Sequence, residues 1–177
     1  GVLQLMKKLK FDSYLSEITS EILREVSLNP FTILKAPTGA GKSFAILNEV
    51  MPKLPSALFL CPTRVLVDNL KTDHPQGYGF EWAEANRFSP RLVTTYDSGK
   101  ILLEDYERSF STVFIDEAHL LAGHSEFRLE TLGFLAKLRE KRGVNVVLVT
   151  ATPEVIELID GVHLVDCKRS GKQRKRV

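Results

Sequence analysis

The chain has 177 residues, of which 44% are hydrophobic and 26% are charged, values typical of a soluble globular protein with one domain and a sizeable core. No apolar run approaches the length of a membrane span and no signal-peptide pattern opens the sequence, which argues against a membrane-embedded or secreted class of protein. Cys61 and Cys167 lie far apart without metal-site spacing, so we expect reduced thiols in a cytoplasmic, reducing compartment.

The net charge of +2 conceals an uneven distribution along the chain. The last ten residues contain no acid and carry six basic side chains: Lys168, Arg169, Lys172, Arg174, Lys175 and Arg176. Without those six, 18 basic residues remain against 22 acidic ones, a net charge of −4. We predict that residues 168–177 form a basic tail or linker. A solvated, mobile end is the simpler interpretation, and contact with nucleic acid is the alternative.

Taken in chain order, the sequence predicts an N-terminal helical segment over residues 1–29. Residues 1–10 are expected to be loosely ordered or helical, and the apolar spacing from Phe11 predicts a helix that ends before Asn29-Pro30. Runs of apolar and β-branched residues predict strands at 31–34, 57–61, 91–96, 112–115, 145–149 and 162–165. Further helices are predicted at about 44–52, 64–70, 125–141 and 154–160, with an irregular connection over 72–90.

Continuous apolar strands that alternate with helices indicate an α/β fold with a mostly parallel sheet covered on both faces. Polar side chains lie at the carboxyl ends of several predicted strands: Thr38, Thr63, Thr94, Asp116 and Thr150. In open α/β sheets this edge binds ligands, so we expect the functional site along it.

One stretch, which we call the glycine loop, lies between a predicted strand and a predicted helix and reads A-P-T-G-A-G-K-S over residues 36–43. Its glycines allow successive backbone N–H groups to wrap an anion, and the following helix directs its positive end at the same point. Lys42 is placed to reach the β- and γ-phosphates of ATP, and Ser43 to hold Mg²⁺. The predicted ATP-binding residues are Pro37, Thr38, Gly39, Ala40, Gly41, Lys42 and Ser43. A glycine-rich turn with a surface lysine is the alternative.

A second polar element, D-E-A-H, ends the predicted strand at 112–115. Asp116 is placed to hold Mg²⁺, usually through water, opposite Ser43. Glu117 is placed to polarise the water that attacks the γ-phosphate. Together with Lys42, these two acids are the predicted catalytic residues. Taken alone, the pair could also be an acidic first turn of a helix, but its combination with the glycine loop favours phosphoryl chemistry.

These elements resemble motifs of superfamily 2 helicases of the DEAH kind, and the matches stand at residues 36–43, 61–64 (C-P-T-R), 116–119 (D-E-A-H) and 150–152 (T-A-T). In order and rough spacing they are similar to motifs I, Ia, II and III of that family, over about residues 30–155. The resemblance implies the first RecA-like domain, a three-layer P-loop NTPase fold. In it, the strand that ends in Thr150 lies between the strands that lead to Lys42 and Asp116.

The resemblance also implies roles for residues outside the nucleotide site. Residues expected to contact the nucleic-acid backbone are Thr63, Arg64, Thr94 and Thr95. Residues expected to couple the nucleotide state to the grip on nucleic acid are His119, Thr150 and Thr152. For Thr94 and Thr95 the alternative is ordinary capping of a helix or turn. The family's adenine-reading glutamine has no clear match, although Glu17 or Glu21 lies roughly where it would stand.

Nothing after Pro153 resembles the family's motifs IV to VI, which belong to a second RecA-like domain that supplies an arginine to the ATP site. We therefore expect residues 30–167 to be the ATP-binding half of a nucleic-acid-dependent helicase, a weak ATPase by itself, that works with such a domain in cis or in trans. Two alternatives remain: a double-stranded DNA translocase or a remodelling or restriction motor without unwinding, and a non-catalytic nucleotide-responsive binding module.

Two further sets of side chains have ordinary interpretations. The aromatic residues Tyr78, Phe80 and Trp82 could stack a nucleic-acid base, but packing of the 72–90 connection onto the domain is the simpler prediction. His74, His124 and His163 share no ligand spacing and are assigned to the surface or to loops.

Overall fold

The architecture is an open eight-stranded sheet in a computed structural model that describes residues 5–74, 79–117, 133–134, 136–141, 143–152 and 161–171. The strands are β1 Leu5–Phe11, β2 Phe31–Lys35, β3 Ala57–Cys61, β4 Glu81–Trp82, β5 Arg91–Thr95, β6 Thr112–Ile115, β7 Asn145–Thr150 and β8 His163–Arg169. Their spatial order is β1-β8-β2-β7-β6-β3-β5-β4, and every neighbouring pair is parallel. The predicted α/β class is confirmed, and β7 lies between β2 and β6 as expected.

Helices connect these strands. The helices are a 3-10 turn Leu15–Ile18, α1 Thr19–Leu28, α2 Lys42–Ala45, α3 Arg64–Asp73 and α4 Tyr96–Glu104. Helix α2 continues as a π-helical turn Ile46–Val50 and a 3-10 turn Met51–Lys53, and residues 133–134 and 136–140 are also helical. In the described part of the chain, no helix combines the length and the apolar character that crossing a bilayer would require.

Two apolar cores, one on each face of the sheet, make the fold three-layered. One core joins the sheet to α1, to the helical segment 42–53 and to α3. The other joins the opposite face to α4 and to Phe134 and Leu138. The central strands β3, β6 and β7 are buried almost throughout because they face helices on both sides, which explains their continuous apolar sequences.

The prediction of a loosely ordered or helical start at residues 1–10 is wrong, because residues 5–11 form edge strand β1. Leu9 and Phe11 of this strand are buried. Its backbone partner is β8, in register from Leu5 opposite His163 to Phe11 opposite Arg169. Lysines are common on edge strands because they oppose pairing with other chains, which accounts for the basic sequence of β1.

Two elements near the middle of the chain also differ from the prediction. Tyr96, assigned to the end of a strand, is the first residue of α4, and Thr95 caps that helix. The connection 72–90 includes the short edge strand β4, where Trp82 packs on the core and meets Phe80 edge-on at 5.4 Å between ring centroids. The packing interpretation of these two aromatic residues is therefore confirmed, while Tyr78 lies outside the described residues.

The basic tail predicted for residues 168–177 starts later than predicted, because strand β8 continues to Arg169. Lys168 and Arg169 belong to β8, which pairs with both β1 and β2 and is longer than its apolar core 162–165. Outside the described residues lie the remaining basic residues at 172–177, the predicted helix at 154–160 and the first part of the predicted helix at 125–141.

Candidate functional site

A cleft of about 630 Å³, which we call the main cleft, opens at the carboxyl edge of β2, β6 and β7. It is lined by Thr38, Gly39, Gly41, Lys42, Ser43, Phe44, Asp73, His74, Asp116, Glu117, Val149, Thr150, Ala151 and Thr152. The fold therefore brings together residues from the glycine loop, the acidic pair and the T-A-T stretch. Pro37 and Ala40 belong to the same loop but are not among the lining residues.

The glycine loop uses its two glycines where the backbone requires them. Gly39 and Gly41 have φ values of +80° and +74°, in the left-handed region that other residues rarely adopt. Ala36 is fully buried, its φ is not positive, and its N–H donates to the Thr150 carbonyl at 3.2 Å. An alanine therefore fits the first loop position, where the general phosphate-loop pattern has glycine.

Lys42 begins α2, directly after Gly41, and its side chain is half-buried. Its ammonium nitrogen Nζ donates to the Ala36 carbonyl at 3.1 Å. Burial lowers the pKa of Lys42, while the negative charges of Glu117 and Asp116 oppose that change. A cation thus lies at the floor of the loop and close enough to both carboxylates to interact with them.

The acidic pair follows β6 and is held from two sides. The backbone N–H of Asp116 donates to the Leu60 carbonyl at 2.9 Å, and the buried Tyr96 hydroxyl donates to the Asp116 carbonyl. Burial and the negative charge of Glu117 raise the pKa of Asp116 to about 6. Glu117 has a φ of +55°, a strained conformation for a residue with a side chain.

The donor set fits a magnesium ion. Two adjacent carboxylates and the Ser43 hydroxyl line the same cleft, and a cation between them would relieve the mutual repulsion of the acids. Within the described residues no group of three or more His, Cys, Asp or Glu side chains forms a complete metal cage. A Mg²⁺ ion usually keeps several waters and takes one or two protein ligands beside substrate phosphates.

The T-A-T stretch crosses from β7 into the main cleft. Thr150 is 2% exposed, and its Oγ1 accepts a hydrogen bond from the Thr152 N–H at 3.1 Å. Both threonines line the cleft beside the acidic pair. The third predicted coupling residue, His119, lies outside the described residues.

The predicted nucleic-acid residues divide into two groups. Arg64 and Thr94 line a separate cleft of about 240 Å³, which we call the second cleft. Thr63 and Thr95 are the N-caps of α3 and α4, where their hydroxyls accept hydrogen bonds from Leu66 N–H at 3.3 Å and Ser98 N–H at 3.1 Å. Capping is therefore an established role for Thr95, and also for Thr63.

Two residues near the main cleft were not assigned to the site from the sequence. His74, assigned to the surface or a loop, lines the cleft with its Nδ1 3.2 Å from the Asn48 amide nitrogen. Arg169, assigned to the tail, donates to the Gly39 carbonyl at 3.2 Å and lies over the Phe11 ring. No local sequence pattern predicts either contact, because each joins segments that are far apart along the chain.

Other side chains considered in the sequence analysis have structural partners. His163, also assigned to the surface or a loop, is largely buried in β8, with Nε2 3.6 Å from the Glu25 carboxylate. Glu17, a candidate for the adenine-reading position, accepts hydrogen bonds from the N–H groups of residues 12–14 at 2.8–2.9 Å. These bonds lower the pKa of Glu17. Its carboxylate therefore fixes the turn before the first helix, and that turn is joined to the glycine loop by the Leu15 N–H on the Ala40 carbonyl.

Comparisons with known proteins agree with this arrangement. A curated relative, the probable ATP-dependent RNA helicase DHR2 of Saccharomyces cerevisiae, is 29% identical over 153 residues, which are 75% of this chain and 20% of the relative. The Pyrococcus furiosus Hef helicase domain superposes with a TM-score of 0.62 at 18% identity, over 88% of this chain and 38% of that one. A DEAD box protein from Methanococcus jannaschii gives 0.61 at 13% identity, over 89% and 50%.

The structural similarities establish the fold, which is that of a helicase RecA-like domain. The chain spans about one fifth of its curated relative and half or less of these two solved chains. A sequence profile of the DEAD/DEAH box helicase family matches residues 16–159, most of the chain and all of the main-cleft residues described above. The protein therefore belongs to the DEAD/DEAH box helicase family, of which it is an ATP-binding domain.

Proposed function

We propose that this chain is the ATP-hydrolysing half of a nucleic-acid-dependent helicase, completed by a second RecA-like domain in cis or in trans. One observation carries the proposal: Lys42, Ser43 and the Asp116–Glu117 pair, which follow two strands far apart in the sequence, line a single cleft at the carboxyl edge of the sheet. A module that only bound nucleotide would have no use for Glu117 as a base, so its presence in the cleft disfavours that alternative.

In this proposal the glycine loop is a Walker A motif and the D-E-A-H stretch is a Walker B motif. The loop N–H groups cradle the phosphates, and Lys42 gives up its bond to the Ala36 carbonyl to bind them. Ser43 and Asp116 would hold Mg²⁺, which would supply positive charge near the β- and γ-phosphates. Burial of Asp116 favours this assignment, since a buried carboxylate gains most from a neighbouring cation.

Glu117 is the proposed general base for the attacking water. Its strained backbone is held by the hydrogen bonds that Asp116 makes to β3 and to Tyr96, which places the carboxyl group at the cleft. A transition-state arginine is worth about 10³–10⁵ in rate in related phosphoryl-transfer enzymes. We assign that group to the second domain, so this chain alone should turn over far below ~1 s⁻¹.

The second cleft is the proposed contact with the nucleic-acid backbone, through Arg64 and Thr94. Thr150 and Thr152, at the end of β7, lie between the glycine loop, which follows β2, and the acidic pair, which follows β6, and in this proposal they relay the nucleotide state. The yeast relative is a probable RNA helicase, whereas another similar structure, a Sulfolobus solfataricus SWI2/SNF2 ATPase core, is in complex with double-stranded DNA. Both polymers therefore belong in the test. The proposed place of action is a reducing, cytoplasmic compartment, an expectation that comes from the cysteine spacing of the sequence.

The test combines nucleotide binding with hydrolysis. We expect a fluorescent ATP analogue to bind the chain only weakly without Mg²⁺ and more tightly with it, and phosphate release to stay far below ~1 s⁻¹ with single-stranded RNA or DNA. We call the assembly of this chain with its proposed second RecA-like domain the parent. In the parent, Glu117→Gln should keep nucleotide binding and abolish phosphate release. Asp105→Asn, at an exposed acid that ends α4, is the matched control.

Two outcomes would contradict the proposal. The absence of nucleotide binding at millimolar concentration would remove the assignment of the main cleft. Parent-like hydrolysis by the Glu117→Gln variant would show that another group activates the water. Unwinding of a forked substrate by the parent separates a helicase from a translocase that moves on duplex DNA without opening it.

A further inference from the structure

The second cleft lies between α3, the turn after β4, the end of β5 and α4. Its polar lining residues are Arg64, Glu84, Arg87, Thr94 and Ser98. Basic and hydroxyl side chains converge there, as a nucleic-acid backbone would require, but one acid is included. That acid, Glu84, is the feature that the proposed function does not explain.

Glu84 binds two cations of α3 at the same time. Its Oε2 forms an ion pair with Nη2 of Arg64, and its Oε1 forms an ion pair with Nζ of Lys71. Arg64 and Lys71 stand seven residues apart, two turns along the same face of the helix. Arg64 also reaches the Asp68 carboxylate through Nε at 3.3 Å, so two acids contact its guanidinium group.

The backbone around Glu84 is anchored rather than free to adapt. The N–H groups of Ala85 and Asn86 both donate to the Trp82 carbonyl, at 2.9 and 3.1 Å, and the Ala83 N–H donates to the Val93 carbonyl at 3.1 Å. Trp82 itself packs on the core and lies under the Lys71 ammonium, 5.6 Å from the ring centroid. The carboxylate is thus presented to α3 by a fixed turn.

The chemistry of this arrangement is that of a bound phosphodiester. A carboxylate and a phosphodiester each carry one negative charge shared between two terminal oxygens, and each can be bridged by an arginine and a lysine. The three side chains are 54% (Arg64), 41% (Glu84) and 30% (Lys71) exposed, so an anion from solvent can reach the cations. Ion pairs with this exposure contribute little to stability, so the Glu84 carboxylate can exchange for another anion.

We propose that Arg64 and Lys71 form a phosphodiester subsite and that Glu84 occupies it while nucleic acid is absent. An incoming strand then gains a phosphate contact only by displacing the Glu84 carboxylate, which makes Glu84 a determinant of nucleic-acid affinity and adds Lys71 to the contact surface. This inference rests on the proposed function of the second cleft and extends it to residues that the helicase resemblance did not indicate.

The test compares Glu84→Gln with a matched control by fluorescence anisotropy of a labelled single-stranded oligonucleotide, as RNA and as DNA, over a series of salt concentrations. The control is Glu104→Gln, which removes an acid paired with Lys137 at 3.5 Å in a different groove. Glu84→Gln keeps the side-chain shape but removes the competing charge. We expect Glu84→Gln to bind the oligonucleotide about 3–10-fold more tightly at low salt. The slope of log K against log salt concentration should be steeper by about 0.7, the value for one phosphate contact on a single strand.

The second arm uses Lys71→Gln alone and in the Glu84→Gln background. Lys71→Gln should weaken binding, and the double variant should lose most of the gain of Glu84→Gln. Thermal unfolding of each variant monitors folding, and melting temperatures close to that of the wild type are expected because the ion pairs are exposed.

The outcomes separate this inference from the function on which it rests. If Glu84→Gln and the wild type bind the oligonucleotide with the same affinity, Glu84 does not compete with phosphate. The proposed nucleic-acid function would then still hold. If Glu84→Gln binds more tightly and adding Lys71→Gln does not reduce that gain, the proposed subsite is wrong, because Lys71 would then not contact the phosphate. If neither wild type nor Glu84→Gln binds either polymer at low salt, both the subsite and the nucleic-acid role of the second cleft are wrong.

Discussion

The ammonium group of Lys42 donates a hydrogen bond to the carbonyl of Ala36, 3.1 Å away, and so joins the two ends of the glycine loop. The bond satisfies a partly buried cation in the absence of an anion. In the proposed function, nucleotide binding exchanges this neutral acceptor for phosphate oxygens, which are stronger partners because they are charged.

The first prediction concerns this lysine. Lys42→Ala should weaken the binding of a fluorescent ATP analogue with Mg²⁺ by roughly 10–100-fold, since hydrogen bonds to charged groups contribute about 1.5–3 kcal/mol. Lys53→Ala, at the other end of the same helical segment and outside the main cleft, is the control and should bind as wild type does. Equal dissociation constants for the two variants would show that Lys42 is not a phosphate ligand.

The second prediction concerns Arg169, which donates to the Gly39 carbonyl at 3.2 Å from a position outside the main cleft. The Gly39 carbonyl oxygen would by itself repel a phosphate. The hydrogen bond keeps this oxygen in contact with the Arg169 cation, which reduces that repulsion. Arg169→Ala should therefore weaken nucleotide binding by about 2–5-fold, the effect of one exposed hydrogen bond of about 0.5–1 kcal/mol. Lys168→Ala, one residue earlier in β8, should have no effect. Isothermal titration of both variants gives the answer, and identical affinities would remove Arg169 from the site.

The third prediction uses the raised pKa of Asp116. The pKa is about 6 in the folded chain against 3.8 for the free side chain, so the folded state binds this proton more tightly than the unfolded state does. Ionisation of Asp116 therefore costs stability that grows as the pH rises from about 4 to about 6 and stays constant above that range. The full cost is of order 3 kcal/mol, from a shift of about 2 pKa units.

Asp116→Asn should accordingly stabilise the metal-free chain at pH 7.5, with a gain that falls toward zero near pH 4. Urea unfolding in the presence of EDTA at both pH values measures it. Asp105→Asn, at an exposed position, should show little pH-dependent difference. A gain for Asp116→Asn that is as large at pH 4 as at pH 7.5 would mean that the buried charge is not its cause.

The fourth prediction tests the packing of α4, a helix that the sequence analysis did not predict. A Cβ atom on Gly99 would stand 2.2 Å from Cδ2 of Leu60, a core side chain that is 1% exposed. Gly99→Ala should destabilise the domain by about 1–2 kcal/mol, because overpacking outweighs the gain in helix propensity of about 1 kcal/mol. Gly133→Ala, at a helical glycine with open space around it, should be neutral or stabilising.

A double-mutant cycle identifies the cause of the Gly99 effect. In a Leu60→Ala background, the substitution Gly99→Ala should cost less than in wild type, since the clashing methyl group is gone. Additive effects in the cycle would show that Gly99 and Leu60 are not in contact.

The sequence alone predicted the central strands and the residues at their carboxyl ends, and the reason is local. Strands such as β3 and β6 are buried on both faces, so their sequences are continuous apolar runs, and parallel strands bring their carboxyl ends to one edge. The glycine loop and the acidic pair were therefore recognisable before any coordinates. The α/β class and the gathering of Lys42, Asp116 and Glu117 followed from these patterns, whereas the position of β7 between β2 and β6 was implied by the resemblance to superfamily 2 helicases.

Tertiary structure alone decided the features whose cause is distant in the chain. Residues 5–11 form a strand because β8, more than 150 residues later, supplies their hydrogen-bonding partner, while their own lysine-rich sequence carries little strand signal. The contact of Arg169 with Gly39 and the ion pairs of Glu84 with Arg64 and Lys71 are equally invisible in sequence, since each depends on where separate segments meet. Local patterns encode local structure and burial, whereas the partner of an exposed charge or an edge strand is determined only when the chain has folded.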